Sequence, residues 1–176
     1  MAKVVIDTNV LLVANGDHPD VSSACRRICI EVLSNSKKYG VVVIDDSFLI
    51  LREYLNKTKP NQPKGAGDAF LKWLLQNRKN EEFVHQVKLT EVEDSIFEEF
   101  PDLDLQPHFD PPDRKFAAVA HCHPDKPTVL QAADCKWLDW WKSLQAAGVQ
   151  VKFLCAEDAC RFYQRKFPNR PAPSLP

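Results

Sequence analysis

Three short, apolar, largely β-branched runs in this chain each stop at an aspartate. Lys3-Val4-Val5-Ile6 stops at Asp7, Tyr39-Gly40-Val41-Val42-Val43-Ile44 at Asp45-Asp46, and Thr128-Val129-Leu130-Gln131-Ala132-Ala133 at Asp134. Runs without polar alternation fit strands covered on both faces, as in a parallel sheet under helices. Val149–Leu154 is a further such run, and the more polar Phe83–Leu89 reads as an edge or peripheral strand.

Helical spacing fills the gaps. Val21, Ala24, Cys25, Ile28, Val32 and Leu33 share one face, with Asp20 or Ser22 as the cap. Phe48, Leu51, Tyr54 and Leu55 repeat the pattern. Further helices are expected over Ala69–Asn77, Ser95–Phe100, Arg114–Cys122 capped by Asp113, Lys136–Ala147 stopped by Gly148, and Glu157–Lys166. Strands alternating with helices predict a three-layer α/β/α domain over residues 1–167, with a mostly parallel central sheet. Residues 168–176 carry four prolines and should form an extended or flexible tail. A basic loop (57–67) and an acidic, proline-rich loop (102–112) interrupt the pattern.

The chain has 176 residues, enough for one self-sufficient core. Its formal net charge of −1 excludes a histone-like protein held to nucleic acid by bulk charge. No apolar run reaches the roughly 18 residues of a membrane span. Met1–Asp7 is too short and too soon acidic for a secretory leader, so the cytoplasm is expected, with six reduced cysteines. Cys25-x₃-Cys29, His121-Cys122-His123 and Cys155-x₄-Cys160 lack structural zinc spacing and read as core thiols and helix-end histidines. No nucleophile elbow or Walker-type loop is present.

Ligands of open parallel sheets collect outside the carboxyl ends of the strands. Any one of these aspartates is explained as a strand terminator or helix cap. Gathered at one edge, Asp7, Asp113 and Asp134 would repel each other unless a cation neutralised them, and hard oxygen ligands suit Mg²⁺ or Mn²⁺. Asp45 and Asp46 are better read as ending their strand and capping the next helix. A phosphorylated receiver is disfavoured because no acidic pair follows the first strand. A phosphatase-type Asp-x-Asp is disfavoured because Asn9 stands where the second aspartate would be.

Val4-Val5-Ile6-Asp7-Thr8-Asn9-Val10-Leu11-Leu12 resembles the opening motif of the PIN-domain nucleases. The likeness extends in element order over most of the chain. Glu53 falls where that family places its second acid, Asp113 in Asp113-Arg114-Lys115-Phe116 resembles the third, and Asp134 the fourth. The resemblance implies a Mg²⁺- or Mn²⁺-dependent ribonuclease, an endonuclease acting on RNA ahead of DNA. Its water would be activated at a metal held by Asp7, Glu53, Asp113 and Asp134, with Asn9 positioning a carboxylate or the substrate. It also implies toxin, RNA-processing or defence settings, an antitoxin or other protein partner, and homodimers. A DNA flap nuclease of related fold would need a longer chain.

The fourth acidic motif departs from the family. Ala132 and Lys136 stand where a threonine and a second aspartate are usual, which leaves one metal or two open. Asp139 lies about 140° further round the helix and reads as solvated. The departure also gives weight to a rival function, a catalytically degenerate PIN fold that binds nucleic acid or protein. Lys136, Arg114, Lys115, Lys57 and Lys59 are the candidate phosphate contacts. Trp140 is the candidate base-stacking side chain, with Trp137 and Trp141 turned to the core.

Overall fold

The computed structural model describes residues 2–176. The first half runs β1 (Ala2–Ile6), α1 (Thr8–Asn15), α2 (Ser23–Tyr39), β2 (Gly40–Asp45), α3 (Leu49–Lys57), α4 (Ala66–Asn77) and β3 (Val84–Val87). The second runs β4 (Glu91–Glu93), β5 (Ile96–Phe97), α5 (Pro111–Cys122), β6 (Thr128–Gln131), α6 (Trp137–Ala146), β7 (Val151–Phe153) and α7 (Ala156–Lys166). Five strands form one sheet in the order β3-β2-β1-β6-β7, and every pairing in it is parallel. The expected three-layer α/β/α architecture is present, and β3, with β7, is one of the two edge strands. Among the described residues no helix is long and apolar enough to cross a membrane.

The connections fix where a site can form. From β1 the chain steps outward through β2 to β3, then returns through α5 to β6 and steps the other way to β7. Right-handed crossovers put α1 to α4 on one face and α5 and α6 on the other. The direction reverses between β1 and β6, and a crevice opens at the carboxyl ends of those two strands. Ile6 pairs with Leu130 there, and the Asp7 amide donates to the Leu130 carbonyl at 2.9 Å.

Beneath that edge lies a continuous core. Val5, Ile6, Val42, Val43, Ile44 and Val129 are fully buried. Burying one such side chain stabilises the fold by about 1.5–3 kcal/mol before chain entropy is counted. α1 and α4 approach so closely that a Cβ on Gly67 would lie 2.3 Å from the Leu11 carbonyl oxygen. Ser22 is the cap of α2 and accepts from the Cys25 amide. Gly148, at φ +87°, turns the chain after α6.

Three local expectations need correction. The stretch Ser95–Phe100 is not a helix. Ser95 turns at φ +57°, β4 and β5 pair antiparallel, and the buried Gln106 amide bonds both the amide and the carbonyl of Phe97. Helix α5 begins at Pro111, so Asp113 sits inside its first turn and does not cap it. Two prolines at the first helical positions supply the preset φ and need no donor bonds. The cysteines are not all reduced: Cys25 and Cys155 form a disulfide across a separation of 130 residues. The tail is extended but lies against the domain, where Trp141 Nε1 donates to the Ser174 carbonyl at 2.8 Å.

Candidate functional site

Asp7 follows β1 directly. Its Oδ1 accepts the Asn9 amide at 2.8 Å and so caps α1. Asp134 follows β6, with its amide held by Gln131 Oε1 at 3.2 Å and its Oδ1 accepting the Lys136 amide at 3.1 Å. Asn9 joins the two strand ends, because its Oδ1 accepts the Ala133 amide at 3.1 Å. Asp113 reaches the same edge from the opposite layer on α5. The residue is only 9% exposed, and no hydrogen bond reaches its carboxylate among the described residues.

The electrostatics tie these groups together. Burial, then Asp134 and Glu53, raise the Asp7 carboxyl to about 7 against the opposing Asn9 amide and Lys115. Burial, then Asp7, Asp134, Asp110 and Glu53, raise Asp113 to about 9. The acids from β1, β6 and α5 act on one another's carboxyl groups, but their oxygens are not gathered as closely as ligands of one ion: among the described residues only the sulfurs of Cys25, Cys29 and Cys155 lie within 4.8 Å of one another. The Tyr54 hydroxyl donates to the Ile6 carbonyl and is raised by burial, Asp7, Glu53 and Asp45.

Two lysines border the group. Glu53, on α3, accepts from the Thr8 hydroxyl at 2.5 Å and pairs with Lys115, whose ammonium also meets the Pro112 carbonyl. Lys136 pairs with Asp110 at the start of α5. The Lys136 ammonium is held charged above its usual range by Asp110, against some burial, with help from Asp134 and Asp113. A cleft of about 340 Å³ runs along this border and includes Arg52, Glu53, Asn56, Lys57, Asp94 and Lys115. Thr8, Asp110 and Gln131 had not been singled out from sequence. Their signal is tertiary, apart from Asp110, which precedes two prolines.

Other candidates have different places. Asp45 is fully buried and accepts the Leu49 and Ile50 amides, so it caps α3. Arg114 is not a surface phosphate contact: its buried guanidinium donates to the carbonyls of Phe109 and Ser95. Trp140 is not an open stacking face, because its ring packs 4.1 Å from that of Phe109, while Trp137 and Trp141 are buried as expected. Asp139 faces away from the site and accepts from Tyr163 and Arg170. Lys57 lines the cleft, whereas Lys59 is exposed beside Pro60 and Gln62.

Two further polar groups lie elsewhere. Cys25, Cys29 and Cys155 bring their sulfurs within 4.8 Å of one another, but two of the three are consumed by the disulfide. Burial raises the Cys29 thiol to about 12, which keeps it protonated. A larger cleft, about 460 Å³, lies along β3 and includes His85 and His123, whose ring nitrogens are 2.9 Å apart. The Asp125 amide donates to His123 Nδ1, so the His123 proton sits on Nε2 and points at His85 Nδ1. That tautomer leaves no pair of facing lone pairs for a metal.

Comparison with protein-family models, with curated proteins and with solved structures finds no match.

Proposed function

We propose that this chain is a metal-dependent phosphodiester hydrolase resembling the PIN-domain nucleases, acting on RNA in preference to DNA. One observation carries the reading. A buried carboxylate on α5, with no hydrogen-bond partner among the described residues, feels two strand-end carboxylates at the reversal point of a parallel sheet. Such an arrangement is costly unless something positive completes it.

The donor type suits a hard divalent ion, although the three carboxylates would have to draw closer to share one. Asp7, Asp113 and Asp134 offer carboxylate oxygens only, which suits Mg²⁺ or Mn²⁺ over softer metals. Bound there, such an ion would lower the pKa of a water and offset charge on the phosphoryl oxygens. The chain's own residues would do the rest. Asn9 fixes the Ala133 backbone and so holds the loop carrying Asp134. Thr8 holds Glu53 beside the site. Arg52, Lys57 and Lys115 line the neighbouring cleft, where Glu53, Glu91 and Asp94 balance their charge; Lys115 is spoken for by Glu53, so a phosphate backbone would meet Arg52 and Lys57. Cytoplasmic RNA, an antitoxin or other protein partner and a homodimer belong to the same reading.

The decisive assay uses end-labelled single-stranded RNA with Mn²⁺, with Mg²⁺ and with EDTA. Cleavage is expected with either metal, absent with EDTA and lost in Asp113→Asn. A metal-dependent Asp113→Asn enzyme of full activity would refute the site.

A second reading has its own observation. Glu53 and Asp110 are already neutralised by lysines, as in a fold that has become a binding module. RNA binding without cleavage under any metal condition would select it.

A further inference from the structure

Cys25, Cys29 and Cys155 form a cluster that the carboxylate edge does not use. Cys25 and Cys29 stand one turn apart on the buried face of α2. Cys155 follows β7 and immediately precedes α7. All three are buried, and their sulfurs lie within 4.8 Å of one another. The Cys25–Cys155 disulfide needs only two of them. The third, Cys29, is fully buried with its sulfur 3.9 Å from that of Cys155. Among the described residues no histidine, carboxylate or fourth cysteine joins the group.

We propose that, once the Cys25–Cys155 bond is reduced, the three sulfurs bind one soft monovalent ion, Cu⁺. The proposal is independent of the nuclease reading. A dithiol supplies the reduction: its two sulfurs become a disulfide, and Cys25 and Cys155 become thiols. Cu⁺ then binds without change of oxidation state, and the three thiol protons leave to solvent. Thiolate ligands select soft ions such as Cu⁺ and Zn²⁺. Structural zinc is almost always four-coordinate, and a fourth donor is missing among the described residues. Three buried sulfurs therefore favour Cu⁺, which accepts low coordination numbers.

The fold holds the sulfurs together without the disulfide. The Cys155 amide donates to the Ala132 carbonyl at 3.2 Å. Ser22, the cap of α2, donates its hydroxyl to Asp158 of α7 at 2.7 Å, and Arg161 of α7 donates to the Asp20 carbonyl at 2.8 Å. Opening the bond therefore leaves α2 and α7 tied at the ends that carry Cys25 and Cys155. Burial pushes the free Cys29 thiol up to about 12, because a buried sulfur anion has nothing to compensate it. A bound cation supplies that compensation, and a coordinating thiol gives up its proton. The positive end of α7 beside Cys155 adds to it. The ion would keep the link between α2 and α7 that the disulfide makes in the oxidised chain.

The test compares the two redox states. The full chain is reduced with dithiothreitol, desalted without oxygen, and titrated with Cu⁺ held by a chromophoric chelator. The oxidised chain is the control, because it keeps Cys29, Cys122, Cys135 and Cys160 as free thiols. The reduced chain should stay folded by circular dichroism and take up one more Cu⁺ than the control, with three sulfur neighbours in X-ray absorption. Cys29→Ala, which leaves the disulfide pair intact, should hold that ion more weakly by about tenfold or more. The sulfur count on the wild-type chain stands without the variant. No additional Cu⁺ on the reduced chain, or a count of two sulfurs, would overturn the proposal. So would equal affinity in a folded Cys29→Ala, tighter binding of Zn²⁺ than of Cu⁺, or a reduced chain that has lost its fold.

Discussion

Asp68 and Asp113 are both aspartates at the first turn of a helix, and both are buried. Their surroundings are opposite. Asp68 accepts from the amides of Lys59 and Lys64 and from the Asn15 side chain, and its own amide donates back to Asn15. Burial raises its pKa, but those bonds together outweigh burial and leave it below the usual range. Asp113 has burial and like charges, with no bond among the described residues to offset them. A buried acid as such is therefore no sign of function in this molecule. Asp68 knots a basic loop to α1 and α4, and Asp158 does similar work between Ser22 and Arg161. What distinguishes the strand-end group is buried charge left uncompensated.

The contrast can be broken by mutation. The largest stability effect should come from the scaffold that both regions share. Removing the Cys25–Cys155 bridge with Cys155→Ser should cost about 2–4 kcal/mol in urea unfolding, because it frees a long loop in the unfolded chain. Asp68→Ala comes next, at about 2 kcal/mol, since it strands two backbone amides and a side-chain amide. Metal binding should survive that change. Asp113→Asn should act in the opposite direction, raising metal-free stability at pH 8 by about 1 kcal/mol or more, because folding no longer has to return a proton that the unfolded chain has lost. Equal losses in Asp68→Ala and Asp113→Asn would erase the distinction.

The two kinds of acid also predict opposite pH slopes. In the unfolded chain Asp113 loses its proton near 3.8, whereas the folded chain keeps it to about 9. Across that window the folded state binds more protons, so metal-free stability falls as pH rises. Asp7 adds to the fall up to about 7. Asp68 is depressed, so its contribution is present above 3.8 and is lost as pH drops below that value. Urea unfolding between pH 5 and 9 should show a decline that Asp113→Asn flattens and Asp68→Ala leaves in place.

Much of this was legible because strand periodicity and strand-ending aspartates are local signals. The ends of β1 and β6 follow from short apolar runs, whereas the strand order that puts the reversal between them comes from the folded sheet. Other features depend on contacts distant in sequence. Ser95–Phe100 has helical-looking spacing, yet Gln106 supplies bonds that hold it as a strand. Arg114 neighbours Asp113 in sequence but points to carbonyls of the Phe109 and Ser95 segments. No spacing rule links Cys25 to Cys155, and none foretells that Lys136 will choose Asp110 over the adjacent Asp134.

Thermal unfolding with and without Mn²⁺, on the wild-type chain and on Asp113→Asn, most directly tests whether these carboxylates form one cation site. At a hundredfold excess over Kd, the wild-type unfolding temperature should rise by about 5 °C or more, and that of Asp113→Asn should stay where it was. An equal rise in both proteins, or none in the wild type, would contradict the account.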